Sequence, residues 1–347
     1  MAVSKSPPPK TTAGSGKGGR RPDSAAGKTG KSRARANQQR NAAKAAASRQ
    51  GAPAYLWAVV ALVVVAVVVF VLVAVVGGGP KQKGTAPATG GVVAAVASVP
   101  QSVLTGFDLG TSTGANAVGS LPVPTAAVSG AKGQQPLLTV DGKPEVFYFG
   151  AEFCPYCAAE RWALINALSR FGTFKNLSET HSSATDVYPN TPTFSFYKSS
   201  YSSPYLVFVP VEYETNTEQP LQRPTPAESK LVSKYDTAPY VKGQSGSIPF
   251  IDFANQFIQS GANFNPGILA GMTYAEIASA MQTPGTTVGS AIDGAANYLT
   301  AAICQITNDK PASVCNQPYI PKALAQMQTA AKSSSGSSGN ATPGVAG

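Results

Sequence analysis

Two cysteines separated by a proline and a tyrosine, Cys154-Pro155-Tyr156-Cys157, are the residues of this chain best suited to covalent chemistry. The apolar run Glu145–Phe149 precedes them, and Ala158, Trp162, Ile165, Leu168 and Phe171 follow at helical spacing. That context puts Cys154 at a helix amino terminus, where unpaired backbone N–H groups and the positive end of the helix dipole favour thiolate over thiol. The thiolate is the nucleophile of thiol–disulfide exchange. Pro155 has no N–H to lose in the first turn and presets the helical φ. Two intervening residues bring the second sulfur back to the first. Cys154 is therefore expected to attack a substrate disulfide, and Cys157, deeper in the helix, to resolve the mixed disulfide.

A zinc site would use the same residue type, but a zinc ribbon needs a second closely spaced pair. Cys304 and Cys315 are separated by ten residues, and the single histidine, His181, is remote in sequence. No metal and no cofactor are expected. Cys304 and Cys315 read as a structural disulfide between terminal helices, worth about 2–3 kcal/mol in the chain-entropy model. A relay exchanging electrons with the first pair is the alternative. His181 reads as a solvated loop residue. Glu152 is expected at the surface, and Glu160 and Arg161 in helix-surface ion pairs. Tyr197, Tyr201, Tyr205, Phe208 and Tyr213 read as strand packing, with a substrate groove as the alternative. Gly27-Lys28-Thr29 and Gly30-Lys31-Ser32 mimic the end of a phosphate loop. The glycine required five residues earlier is Pro22 or Ala25, so the match is false.

The elements around these groups alternate. The turn Asp141-Gly142 opens the strand Glu145–Phe149, and a helix runs from Pro155 to about Phe171, with Gly172 placed to end it. Thr193–Tyr197 and Tyr205–Tyr213 read as strands, Pro226–Tyr235 as a charged surface helix, and Phe250–Phe253 with Gln256–Gln259 as a short strand pair. Helices are expected at Thr273–Met281, Val288–Ile303 and Pro321–Ala330. This is an α/β pattern.

Outside that domain the composition shifts. Residues 1–50 hold twelve Lys/Arg and one acid, Asp23, a charge of +11, which leaves a net −1 for the rest of the 347-residue chain. Residues 1–53 read as a disordered basic tail. Ala54–Val76 is an uncharged apolar run without proline. As a helix it would extend roughly 34 Å, enough to cross a bilayer core of about 30 Å. It is too long for a signal peptide and reads as a retained single span. The positive-inside rule puts residues 1–53 in the cytoplasm and residues 77–347 outside, where disulfides persist. The tail's role as a topology determinant needs no partner, and no nucleic acid is expected. Residues 77–135 read as a flexible linker, with a short helix at Val92–Leu104, followed by a folded domain over 136–330 and a disordered tail over 331–347.

Ala151-Glu152-Phe153-Cys154-Pro155-Tyr156-Cys157 resembles the active-site segment of thioredoxin-like proteins, with the dipeptide found in glutaredoxins. Ser247-Ile248-Pro249-Phe250-Ile251 resembles that superfamily's second hallmark, a cis-proline opening the third sheet strand opposite the cysteines. The resemblance implies an α/β thioredoxin-like fold, here with extra strands and C-terminal helices and preceded by one transmembrane helix. It makes Pro249 the cis-proline and gives the Ile248 backbone to an extended substrate. Gly150 to Leu164, Asp186 to Phe196, and the stretch from Ala302 through Cys304 and Pro311 to Cys315 together resemble the actinobacterial and archaeal family known as domain of unknown function 929, over roughly residues 90–320. One departure is notable. Thioredoxins carry a buried aspartate six residues ahead of the first cysteine, and here that position is Tyr148.

The leading expectation is a membrane-anchored, extracytoplasmic disulfide oxidoreductase acting on thiols or disulfides of exported proteins. Two other classes stay open. One is a non-catalytic thioredoxin-fold binding or scaffold module of the cell envelope. The other is a copper-handling domain, which would use the same thiolates without the extra Met or His ligands such a site recruits.

Overall fold

A computed structural model describes residues 81–105, 124–127, 135–241 and 245–335. The expected basic tail, the apolar span Ala54–Val76, part of the expected linker and residues 336–347 lie outside the described residues. Among the described residues, no helix is long and apolar enough to cross a membrane.

The amino-terminal part comprises β1 (Ala86–Pro87), α1 (Gly90–Ala97), α2 (Gln101–Thr105), β2 (Thr125–Ala126), β3 (Thr139–Val140), β4 (Lys143–Gly150) and α3 (Pro155–Ser169). An insertion of short strands follows, β5 (Thr173–Lys175), β6 (Ser178–His181), β7 (Pro192–Ser195) and β8 (Ser200–Ser202), before β9 (Val207–Glu212) and α4 (Pro226–Tyr235). The hairpin β10 (Phe250–Phe253) and β11 (Phe257–Ser260) leads to α5 (Tyr274–Met281), α6 (Thr287–Ile306), α7 (Ala312–Cys315) and α8 (Tyr319–Ser335).

The mixed α/β character expected from the alternation is what forms. The main sheet runs β2-β11-β10-β4-β3, with β9 also paired to β4. β4 and β9 are parallel, so the chain must cross over between them, and α3 lies within that crossover. β10 is antiparallel to β4, setting Phe250 opposite Phe149 and Phe253 opposite Val146.

The period-2 geometry of β4 divides its side chains between two cores. Val146 and Tyr148 join Ile251, Phe253, Trp162 and the apolar residues of α6 in the larger one. Phe147 joins Phe250, Ile258, Val211 and Tyr235 in the smaller one. A strand buried on both faces reads as a continuous apolar run, and Glu145–Phe149 is one.

The folded part begins well before residue 136, which corrects the flexible-linker expectation. Val96, Val103 and Leu104 are buried in the larger core. The short helix expected at Val92–Leu104 is two helices, α1 and α2. Asn166 Nδ2 donates to the Val96 carbonyl at 2.9 Å, and Asn297 Nδ2 to the Leu104 carbonyl at 3.1 Å. β1 pairs with β6, and the Gln82 side chain bonds Ser182 O and the Ala184 amide. The Gly/Ala/Val composition imitates a spacer, but its valines are anchors. At the other end α8 continues to Ser335, past the expected limit of 330.

Candidate active site

Cys154 is the N-cap of α3. Its backbone is extended (φ −72°, ψ 121°), Pro155 opens the helix, and the Cys154 sulfur accepts the Cys157 N–H at 3.3 Å. This sulfur therefore satisfies one of the orphan amides of the helix start. Both cysteines are free thiols. Cys154 is 6 % exposed and Cys157 fully buried.

The second sequence hallmark meets the first in space. The Ile248–Pro249 peptide bond is cis, and the Cys154 sulfur lies 3.8 Å from the Ile248 carbonyl oxygen. Pro249 is buried directly ahead of β10, and its carbonyl accepts the Gly261 amide at 2.8 Å. An aromatic rim surrounds the pair. Tyr213 stacks on Phe149 at 5.1 Å and meets Phe153 edge-on at 6.1 Å, while the exposed Tyr156 meets Tyr188 edge-on at 6.0 Å.

The two thiols are driven apart in acidity. The hydrogen bond with Cys157 lowers Cys154 below an ordinary thiol against the opposing effect of burial, helped by the Cys157 amide and the Arg161 charge. Burial, together with the neighbouring Cys154, raises Cys157 well above it. The first sulfur is thus the more easily ionised of the two, and the second is held as a thiol.

Behind the cysteines the structure corrects three sequence expectations. Arg161 is fully buried, not a surface residue. Its Nε donates to Glu212 Oε1 at 2.8 Å, and its Nη2 donates to Glu212 Oε2 and Ala151 O, both at 2.6 Å. Its guanidinium carbon sits 5.8 Å from the Tyr148 ring centre. Glu160 is also buried and makes no ion pair among the described residues. Its carboxylate accepts Gln259 Nε2 and the Asn263 amide, both at 2.8 Å, and burial lifts its pKa to about 7. Glu152 is buried too, accepting the Ser195 hydroxyl at 2.5 Å and the Asn216 amide at 3.2 Å. α3 packs against α1, β7 and α6, and Glu212 of β9 and Gln259 of β11 reach its polar residues, so even these face protein.

His181 is a further correction. It ends β6, half-buried, with Nδ1 3.3 Å from the Tyr274 hydroxyl. Burial and then the Lys83 charge lower its pKa to about 4, so it is neutral. Cys304 and Cys315 are joined by a disulfide that ties the end of α6 to α7. Among the described residues, no group of three or more His, Cys, Asp or Glu is placed to hold a metal ion.

Sequence reasoning assigned no role in the site to Arg161 or Glu212. A signal for Arg161 was present, since positions 157 and 161 lie one turn apart on the same helix face. None pointed to Glu212, 51 residues downstream of its partner.

Fold and site together define a mixed α/β domain with a free thiol pair at a helix start, facing a cis-proline. The chain belongs to the family described as "Domain of unknown function (DUF929)", whose model matches residues 131–305. No curated protein and no solved structure matches the chain.

Proposed function

We propose that this protein is a membrane-anchored, extracytoplasmic thiol–disulfide oxidoreductase with a thioredoxin-like fold. The observation that carries the reading is the position of the Cys154 sulfur, bonded to the Cys157 amide at 3.3 Å and 3.8 Å from the carbonyl of the cis-linked Ile248. The strand–cysteine–helix unit and the cis-proline ahead of the neighbouring antiparallel strand support the thioredoxin-like assignment. The split in thiol acidity supports the division of labour, with Cys154 attacking and Cys157 resolving. A substrate segment would lie extended along the Ile248 backbone, in the manner of strand addition.

The uncharged run Ala54–Val76 and the concentration of positive charge ahead of it support a single span with residues 77–347 outside the cytoplasm. The Cys304–Cys315 disulfide is in keeping with an oxidising compartment. The clients are exported proteins carrying thiols or disulfides.

The test is a trapping experiment in the native host. With Cys157→Ser, the mixed disulfide on Cys154 cannot be resolved, and adducts accumulate on non-reducing gels. They disappear when Cys154 is also replaced. If no adduct forms, and the wild-type protein neither reduces nor oxidises a test disulfide, a non-catalytic scaffold role takes the place of this reading.

A further inference from the structure

The exchange proposed above requires Cys157 to become a thiolate inside the protein, and burial opposes that. In the fold this site resembles, an aspartate at the Tyr148 position assists. Tyr148 offers no such help. Its hydroxyl is buried without a hydrogen-bond partner among the described residues, and burial raises its pKa, so it stays protonated.

Arg161 is the buried cation on the thiols' own helix, and its charge favours the thiolate form of both sulfurs. Helical spacing sets it one turn beyond Cys157 and two beyond Cys154 on the same face of α3. Its guanidinium is held by both Glu212 oxygens, by the Ala151 carbonyl three residues ahead of Cys154, and against the Tyr148 ring. The remaining nitrogen, Nη1, is buried and has no hydrogen-bond partner among the described residues. A buried donor left open on an otherwise saturated guanidinium is an uncommon feature that calls for an explanation.

We propose that Arg161, locked in place by Glu212, is the fixed positive charge that stabilises the thiolates of Cys154 and Cys157, and that the site works without an internal base. The inference rests on the thiol–disulfide reading. Arg161 is a positioning residue, acting on substrate only through the two sulfurs. Other titratable groups near the pair, among the described residues, include Tyr148 on β4, Glu212 and Tyr213 at the end of β9, Glu152 ahead of α3, and Tyr156 within the motif. All are hydroxyls or carboxyls. Ile248 and Pro249, from the β10 side, bring no charge.

The chemistry balances without another acceptor. The Cys154 thiolate attacks a substrate disulfide, a Cys154–substrate bond forms, and the first substrate sulfur leaves as a thiolate. The Cys157 sulfur then attacks Cys154, and the mixed disulfide opens. The proton from Cys157 goes to the second substrate sulfur as it leaves. The substrate has gained two electrons and departs as one thiolate and one thiol, while the protein has lost two and holds the Cys154–Cys157 bond. The reverse order oxidises a substrate dithiol.

The test equilibrates the full-length protein, in detergent, with glutathione buffers and reads the fraction carrying the Cys154–Cys157 bond. The pH profile of Cys154 alkylation is followed in parallel. Arg161→Met combined with Glu212→Gln removes both charges without orphaning either. Loss of a charge that favours the thiolate should move the equilibrium toward the disulfide, by about tenfold for each unit of acidity lost. Tenfold corresponds to about 30 mV for two electrons. The alkylation profile should move to higher pH. Glu212→Gln alone leaves the guanidinium unopposed and should shift both readouts the other way. Arg161→Lys should stay closer to wild type than the double variant.

A purely structural Arg161 would lower stability without the double variant and Glu212→Gln moving the two readouts in opposite senses. Variants that match wild type, when wild type itself equilibrates, overturn this inference alone. A wild type that forms no bond at any glutathione ratio overturns the inference and the thiol–disulfide reading together.

Discussion

The sulfur of Cys154 lies 3.8 Å from the carbonyl oxygen of Ile248, although 94 residues separate them in the chain. The contact exists because β10 pairs with β4 in one register. Phe250 opposite Phe149 brings the residues just ahead of β10 to the end of β4, where the motif begins. A sheet register thus assembles the site, and disturbing the cores that fix it should disturb the chemistry.

Leu104 tests the early boundary of the domain. It is 2 % exposed and packs in the larger core with α6. Leu104→Ala should lower unfolding stability by about 2–5 kcal/mol in urea titrations. A fragment starting at Gln135 should fail to give a cooperative transition, whereas one starting at Lys81 should keep it.

Gly150 is required by Tyr148, two residues earlier on the same face of β4. A Cβ at Gly150 would lie 2.3 Å from the Tyr148 hydroxyl and 2.7 Å from its ring carbon. Gly150→Ala should cost about 1–3 kcal/mol through forced displacement in a packed core. Tyr148→Phe removes a buried hydroxyl without a partner among the described residues and should be neutral or stabilising. Its redox equilibrium with glutathione should match wild type, because the hydroxyl stays protonated throughout.

Much of this frame was legible in the sequence, and the reasons are local. Strand, motif and helix are contiguous, with apolar spacing that changes from run to helix between Phe149 and Ala158, and Ile-Pro ahead of Phe250–Phe253 is a short pattern. What escaped depends on distant partners. Glu160 and Arg161 look like surface charges because adjacent polar residues normally mark a solvated face. They are buried because Glu212, Gln259 and Asn263 reach them from other elements. The two- and three-residue strands β1, β2, β3, β5 and β8 are too short to show any period.

Buried carboxyls give the domain a defined response to pH. Burial raises Glu160 and Asp252 to about 7 and Asp236 to about 6. In each case the folded state holds its proton more tightly than the unfolded chain. The extra stability is therefore present in full at low pH and is lost as pH rises from the ordinary carboxylate range to about 7. Urea midpoints should fall across that interval. Asp252→Asn, which leaves the Asp252 site uncharged at every pH, should flatten the slope.

The central claim is that Cys154 ionises easily while Cys157 does not, and alkylation of the reduced full-length protein across a pH series measures both. The account predicts that Cys154 reacts with a midpoint below the free-cysteine value of about 8.5, with Cys157 unmodified until the protein unfolds. A Cys154 that reacts only at or above that value, or a Cys157 that reacts alongside it in the folded protein, would contradict it.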